Sequence, residues 1–258
     1  TVGFQLYQTG EIDHMDRSEA NLRTIYDDEN NEFHDQLAEK MPRKYSYQFK
    51  FNYNKRREDG SLDENWNTAI ANENFRKSLY YGLDLTNYWS RTNFIYPEHC
   101  ENLTYTMAGL ATTSDGRDYT DLVKEKLDFN AEEGRYDAAK GAEFKAAAME
   151  ELSAKGVTFP VDIDYYIISG SQNALDSATV MKEIFSTCLG DDYVNLNIKT
   201  FVSSQTQEVV NPRLHSFVSN GWGADYGDVQ NFLGQETYGE DTAYYANNYT
   251  FINDATDE

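Results

Sequence analysis

The sequence predicts an α/β fold, because its second half contains a strand, a helix and another strand in succession. Apolar side chains alternate with other residues over positions 161–167, as expected for a strand. Apolar residues then recur every three or four positions over 174–188, which predicts a helix that ends at Gly190. Apolar side chains alternate with other residues again over positions 194–202, which predicts the second strand. A helix of this length between two strands is what a parallel crossover requires.

The first half of the chain predicts further elements of the same kind. Five aromatic side chains alternate with polar residues over positions 45–53, so we expect a strand with the aromatic residues on one face. Asn72 can cap a helix in which apolar residues recur every four positions over 75–83. Apolar residues also alternate over positions 2–6, and we predict a short strand there.

The composition argues against several partners. Hydrophobic residues make up 40% of the 258 residues, which is enough to bury a core. The 44 acidic and 22 basic residues give a formal net charge of −22. Nucleic acid and anionic membrane surfaces bind clustered Lys and Arg, so this charge argues against both. No apolar run approaches the length of a membrane span.

The chain shows neither an internal repeat nor a Gly/Ser-rich linker, so we interpret residues 1–258 as one domain. Its first residues have neither the basic start nor the apolar stretch of a signal peptide, and there is no initiator Met. We therefore expect the chain to be a piece of a longer protein.

Residue types that often carry catalysis or cofactors do not form a recognisable site. The four histidines lack metal-ligand spacing, and the ligand types at positions 98–101 are adjacent, which rarely lets them converge on one ion. No nucleotide-binding glycine motif occurs, and the segment 169–171 fits a helix cap better than a nucleophilic serine. We predict no metal and no cofactor. Cys100 and Cys188 leave two alternatives, one disulfide bridge or two buried free thiols.

The acidic, aromatic-rich composition leaves one class of enzyme open. Two carboxylates can supply the acid and the base of glycoside hydrolysis, but 44 acidic residues do not single out a pair. A secreted hydrolase acting on glycans or peptides is therefore the alternative function.

The most informative segment is Gly221-Trp222-Gly223-Ala224-Asp225-Tyr226. It follows an apolar stretch, so we expect it at the end of a strand, where ligands bind in open α/β sheets. Its glycines allow another group to approach the backbone closely, and Trp222 and Tyr226 flank the carboxylate of Asp225. This chemistry suits a charged amine held against aromatic walls. The other interpretation is a turn that buries Trp222 and leaves Asp225 in solvent.

Seven blocks of the chain together resemble the peptide-binding proteins of ABC importers, the extracellular solute-binding protein family 5. Their order and spacing agree over almost the whole chain. The closest resemblance is to Gram-positive, streptococcal-type oligopeptide-binding lipoproteins, in which G-W-G-x-D-Y recurs. The blocks lie at residues 10–13, 49–52, 72–84, 151–152, 156–160, 189–190 and 221–226.

The resemblance implies one lobe of a periplasmic-binding-protein type II fold, in which a mixed sheet is flanked by helices. Two such lobes close on a ligand, and residues 1–258 correspond to most of the second lobe. The resemblance also implies a monomeric protein that is not an enzyme, is lipid-anchored outside the cell, and passes an oligopeptide to the permease subunits of an ABC transporter. The resemblance leaves three questions open. They are the length and sequence of the peptide, whether the protein serves nutrient uptake or signalling, and whether nickel or haem replaces the peptide as the ligand.

The resemblance assigns the aspartate of W-x-x-D-Y to the α-amino group of the peptide, and this role falls on Asp225. Trp222 is expected to line the cleft beside it. Gly223 and Tyr226 complete the predicted set of ligand-binding residues.

Two positions depart from the pattern of the family. Val229 follows Asp228 where the family often has proline, which affects the stiffness of the loop more than its charge. Ser78 stands where the family usually has alanine, and it keeps a small residue in the helix.

Overall fold

The computed structural model describes residues 2–15, 19–39, 45–127 and 134–255. The chain divides into two compact units, Thr1–Arg43 and Lys44–Glu258. The first unit contains helices α1 (Val2–Gln8) and α2 (Glu19–Tyr26).

The start of the chain is a helix, so the prediction of a strand over residues 2–6 is wrong. Phe4 and Tyr7 lie three positions apart, and both rings contact Phe33, at centroid separations of 5.7 and 5.9 Å. In a strand these two side chains would point to opposite faces, whereas in a helix they share one. The common contact with Phe33 therefore favours the helix.

The second unit combines strands with helices of very different length. Its strands are β1 (Tyr45–Phe51), β2 (Val161–Ile168), β3 (Val194–Phe201) and β4 (Phe217–Gly223). Its α-helices are α3 (Glu64–Ala71), α4 (Glu73–Gly82), α5 (Thr86–Trp89), α6 (Tyr119–Lys126), α7 (Ala138–Ala154), α8 (Gln172–Leu189), α9 (Val229–Leu233) and α10 (Tyr244–Asn248). In the part of the chain that the structure describes, no helix combines the length and the apolar character needed to cross a membrane.

Strands β2 and β3 are parallel, and α8 connects them. Their pairing runs from Val161 opposite Val194 to Ile168 opposite Phe201. Gly190 ends α8 with a positive φ of 89°, a conformation that glycine adopts without strain. The predicted strand–helix–strand unit is confirmed.

Strands β1 and β4 are antiparallel, and Ser216 joins this ladder to β2. The amide of Ser216 donates to the carbonyl of Asp164 at 2.9 Å, and its own carbonyl accepts the amide of Asn52 at 2.9 Å. The four strands thus form two two-stranded sheets, one parallel and one antiparallel, which Ser216 connects. Together with the helices they give the mixed α/β fold that the resemblance implied.

The core of the second unit includes a row of large aromatic side chains. Trp66, Phe75 and Tyr193 are at most 1% exposed, with neighbouring ring centroids 6.3 and 5.5 Å apart. The hydroxyl of Ser78 lies 2.8 Å from that of Tyr193, so the departure from the family pattern gives a buried phenol its partner. Asn72 caps α4 as predicted, since its side chain accepts the amide of Phe75 at 2.8 Å.

A buried ionic cluster lies beside this core. The ammonium of Lys55, whose side chain is 3% exposed, contacts Asp63 at 2.9 Å and Asp164 at 2.8 Å. Lys199 approaches Asp164 at 3.2 Å. Burial disfavours the charged carboxylate of Asp164, but Lys55 and Lys199 outweigh this effect and lower its pKa below the usual range.

Candidate functional site

The glycine–tryptophan segment lies at the end of a strand, as the sequence predicted. Residues 221–223 are the last three of β4, and they pair with residues 47–45 of β1. The chain leaves the sheet at Ala224. The pairing of these glycines within the sheet was not predicted, because glycine is depleted in strands and nothing local indicates a partner strand far away along the chain.

The two glycines make room for tyrosine rings of β1. A Cβ on Gly221 would come within 2.6 Å of the ring of Tyr47, and one on Gly223 would lie closer still to the ring of Tyr45. Neither glycine has a positive φ, so the close approach, and not the backbone conformation, requires glycine. The sequence predicted that another group approaches these glycines, and in this chain tyrosines do so. A contact between Gly223 and a ligand stays a prediction.

Trp222 lies on the other face of β4, where it is half-buried. Its ring meets Tyr245 edge-on, with centroids 5.9 Å apart and planes at 86°. It packs against a small apolar cluster that includes Val210, Val218 and Phe251. The indole Nε1–H donates to Oδ1 of Asn231 at 2.9 Å. These contacts leave Trp222 with one well-defined position.

Asn231 on α9 also fixes the backbone of the loop. Its Oδ1 accepts the amide of Asp225 at 3.1 Å, in addition to the indole N–H of Trp222. Asp228 caps α9 by accepting the amide of Gln230 at 2.7 Å. Asp228, which precedes Val229 where the family often has proline, is therefore a helix cap in this chain.

The side chains of Asp225 and Tyr226 face solvent. Asp225 is exposed, and Tyr226 is 59% exposed. The structure thus brings Trp222 and Asp225 together through Asn231, and it leaves the carboxylate open to a ligand. An exposed carboxylate can accept hydrogen bonds from an ammonium group.

A buried polar cluster supports Trp222 from behind. The ammonium of Lys50, which is 3% exposed, pairs with Glu236 and lies 3.8 Å from the centre of the Tyr245 ring. Burial lowers the pKa of Lys50, and Glu236 opposes this change. The hydroxyl of Tyr245 donates to the carbonyl of Gly221 at 2.9 Å, and burial raises the pKa of Tyr245 to about 12. The tyrosine that contacts Trp222 is therefore held at both its ring and its hydroxyl.

Sequence reasoning did not identify the residues that hold the site together. Asn231 and Tyr245 belong to no motif. Lys50 lies in the block 49–52, but its contact with Glu236 joins segments far apart in the chain. Tyr45 and Tyr47 were placed on the aromatic strand, but the register that brings them to β4 depends on long-range pairing.

The remaining candidates lie outside this site. Cys100 and Cys188 are not joined in a disulfide, which rules out the bridge, and both are half-buried where the other alternative expected buried thiols. The side chain of Ser171 accepts the amide of Ala174 at 3.3 Å and caps α8, as predicted for that loop. Among the residues that the structure describes, no group of three or more His, Cys, Asp or Glu side chains could hold a metal ion.

Comparison with known proteins identifies relatives of one kind. No protein-family model matches the chain. The oligopeptide-binding protein AliA of Streptococcus pneumoniae is 27% identical over 214 residues, covering 69% of this chain and 30% of that protein. The oligopeptide-binding protein AliB of the same species is 24% identical over 221 residues, covering 75% of this chain and 33% of that protein. The chain thus spans about a third of the length of these relatives.

Solved structures show the same fold. The substrate-binding domain of an oligopeptide ABC transporter from Bacillus anthracis superposes with a TM-score of 0.62 at 21% identity, covering 95% of this chain and 41% of that one. Listeria monocytogenes OppA bound to peptide superposes with a TM-score of 0.53 at 19% identity, covering 92% and 41%.

These comparisons define the class. The chain has the mixed α/β fold of periplasmic-binding-protein-like peptide-binding proteins, and its curated homologues are streptococcal oligopeptide-binding proteins. The predicted fold class and the resemblance are confirmed. The names of these relatives describe substrate-binding proteins and give no support to the hydrolase alternative.

Proposed function

We propose that this chain is a peptide-binding lobe of the extracellular substrate-binding component of an ABC-type oligopeptide importer. The observation that carries the proposal is the similarity to oligopeptide-binding proteins over 69% of the chain. The fold shared with peptide-binding proteins over 95% of the chain supports it. As a binding lobe, the chain holds its ligand without turning it over.

In this proposal Asp225 binds the α-amino group of the peptide. The exposed carboxylate, and the fixed position of its backbone on Asn231, support this role. Trp222 and Tyr226 line the cleft on either side of the carboxylate, and Gly223 borders it. A site that binds the amino terminus and backbone, which all peptides share, accepts many sequences.

The remaining parts of the proposal concern the longer protein. Residues 1–258 form most of the second lobe, and the first lobe closes over the ligand. The relatives are about three times as long as the matched region, which supports this arrangement. The protein acts as a monomer, is held outside the cell by a lipid anchor, and delivers peptide to the permease subunits of the transporter.

The proposal is tested by titrating the chain with Ala-Ala-Ala and with its N-acetylated form, using calorimetry or NMR at up to millimolar peptide. Exposed ion pairs contribute about 0.2–1 kcal/mol, so Asp225→Asn should weaken binding of the free-amine peptide about two- to fivefold. When both lobes enclose the amine, losing one partner of the desolvated pair costs about 2–5 kcal/mol, a factor of about 30 or more.

The matched control is Asp191→Asn, which removes an exposed carboxylate from the loop before β3. It should leave binding unchanged. Equal binding of the free and acetylated peptides by the wild type contradicts the role of Asp225. Failure of the wild type to bind any peptide, in the chain and in the two-lobe protein, contradicts the proposed function.

A further inference from the structure

One lysine of β1 is buried on the face of the sheet that carries Trp222. Lys50 pairs with Val218, four residues before Trp222 in β4, so the three side chains share a face. Lys50 is 3% exposed, and its ammonium pairs with the carboxylate of Glu236. The same carboxylate accepts the phenol hydroxyl of Tyr105 at 3.1 Å. Because lysine is almost never buried to this extent without a partner, this ion pair belongs to the interior and not to the surface.

The ion pair attaches the segment 229–236 to the sheet. This segment consists of α9 followed directly by a short 3₁₀ turn that ends at Glu236. Oδ1 of Asn231, five residues earlier, accepts the amide of Asp225 at 3.1 Å. The segment is therefore attached at one end to β1 and at the other to the loop that carries Asp225. Because about one and a half helical turns separate Asn231 from Glu236, loss of the attachment to Lys50 allows Asn231 to shift.

A second route connects Lys50 with Trp222 through Tyr245. The ammonium lies 3.8 Å from the centre of the Tyr245 ring, within the range of a cation–π contact. That ring meets the indole of Trp222 edge-on, at a centroid separation of 5.9 Å. Tyr245 is 3% exposed, so its ring is enclosed between the ammonium and the indole. One buried charge thus acts on Trp222 by this route and on Asp225 by the other.

A charged pair is an inefficient way to stabilise the fold at this position. Burial disfavours the charged form of Lys50 and lowers its pKa, and the hydrogen bond and charge of Glu236 oppose this effect. Apolar side chains of similar volume can often replace a buried ion pair with little loss of stability. An ion pair adds direction, because its hydrogen bond fixes donor and acceptor in one arrangement. This property favours a role in the position of the neighbouring segments.

We propose that the ion pair of Lys50 and Glu236 positions the peptide site and so sets its affinity for the amino group of the peptide. It does so through Asn231, which holds the backbone of Asp225, and through Tyr245. The pair itself does not contact the peptide. The proposal rests on the proposed function, because Asp225 is the group whose position is set. The ligand is a peptide with a free amino terminus.

The first test measures peptide binding by Lys50→Met, which keeps an unbranched side chain and removes the ammonium. Titrations with Ala-Ala-Ala and with its N-acetylated form give the ratio of the two affinities. We expect this ratio to fall about two- to fivefold, and no further than in Asp225→Asn, because losing the position of a carboxylate costs no more than losing its charge.

The second test follows the indole N–H of Trp222 by NMR, with its signal assigned from Trp222→Phe. In Lys50→Met this signal should shift or broaden, because the acceptor on Asn231 is no longer held in one place. The indole signal of Trp66 should stay unchanged, since Trp66 is 1% exposed and donates to a backbone carbonyl at 2.7 Å. A purely structural role of Lys50 would alter both signals or leave the affinity ratio as it is in the wild type.

The matched control is Lys77→Met. It also removes an ion pair, in this case with Glu73 at 2.6 Å on α4, but the side chain of Lys77 is 43% exposed. It should change neither the affinity ratio nor the indole signal of Trp222.

The double variant Lys50→Met/Glu236→Met leaves no unpaired charge in the interior, and it carries the test if Lys50→Met does not fold. In denaturant unfolding it should be at least as stable as Lys50→Met. Its affinity ratio should nevertheless stay low, because an apolar contact does not fix a donor and an acceptor.

Three outcomes overturn the positioning role. They are a wild-type affinity ratio in folded Lys50→Met, a wild-type ratio in the double variant, and an equal fall of the ratio in Lys77→Met. Each leaves the proposed function intact if the wild type binds peptide and Asp225→Asn weakens that binding. A wild type that binds no peptide, in the chain and in the two-lobe protein, overturns both proposals.

Discussion

Replacing Asn231 with leucine should show how much the position of Asp225 contributes to peptide binding, because the charge of Asp225 stays the same. Leucine keeps the approximate size of the half-buried side chain but removes Oδ1, which accepts the indole N–H of Trp222 at 2.9 Å and the amide of Asp225 at 3.1 Å. Each intramolecular hydrogen bond contributes about 1 kcal/mol net, so the two together are worth about 2 kcal/mol. This free energy is divided between folding and the position of the carboxylate, and the loss of peptide affinity is therefore at most about 30-fold.

The assay combines denaturant unfolding with titration of a free-amine tripeptide and its acetylated form. We expect Asn231→Leu to lower the ratio of the two affinities toward that of Asp225→Asn. Asn231→Asp should restore much of the ratio, because its carboxylate can accept the same two N–H groups. Asn87→Leu, at an exposed position on α5, is the control and should change neither quantity. An unchanged affinity ratio in Asn231→Leu would refute a positioning role for this residue, whatever its effect on stability.

Three further substitutions test the packing and charge around the site and the sheet. Gly223→Ala should destabilise the chain by about 1–3 kcal/mol through overpacking against the ring of Tyr45, and denaturant unfolding should show little of this cost in a Tyr45→Ala background. Burial lowers the pKa of His215 to about 4 from 6.5, so below pH 6.5 the unfolded chain binds a proton that the folded chain does not bind until about pH 4. The free energy of unfolding should therefore fall by up to about 3 kcal/mol between these values, and unfolding curves of His215→Gln should lack this part of the slope. Asp164→Asn should cost up to about 3 kcal/mol, measured by thermal or denaturant unfolding, because it removes one of the two carboxylates that pair with buried Lys55.

The parts of the fold that the sequence predicted are those with strong local patterns. The β2–α8–β3 unit follows from periodicity and from Gly190, and the cap at Asn72 follows from the residue type alone. The segment 2–6 was misassigned because three alternating apolar residues fit a short strand and one side of a helix almost equally well. The contact of Phe4 and Tyr7 with Phe33, which favours the helix, is not visible in local periodicity.

The candidate site was predicted only where a motif carries it. The sequence singled out Trp222 and Asp225, and the structure places them beside each other on Asn231. The two interpretations of the segment share this geometry, since an exposed Asp225 is expected both for a simple turn and for half of a cleft that is open to solvent. Peptide titration distinguishes them.

The register of β1 and β4 gives the glycines of the motif a structural reason. Three consecutive pairs each set a large aromatic residue opposite a small one: Tyr45 with Gly223, Trp222 with Ser46, and Tyr47 with Gly221. The aromatic residue alternates between the two strands, so one face carries two tyrosines and the other carries the tryptophan. A one-residue slip would set Trp222 against a tyrosine and a glycine against serine, losing both the ring packing and the close approach. The Gly-Trp-Gly sequence thus specifies how β4 aligns with β1, and this alignment determines where the chain turns out of the sheet to present Asp225.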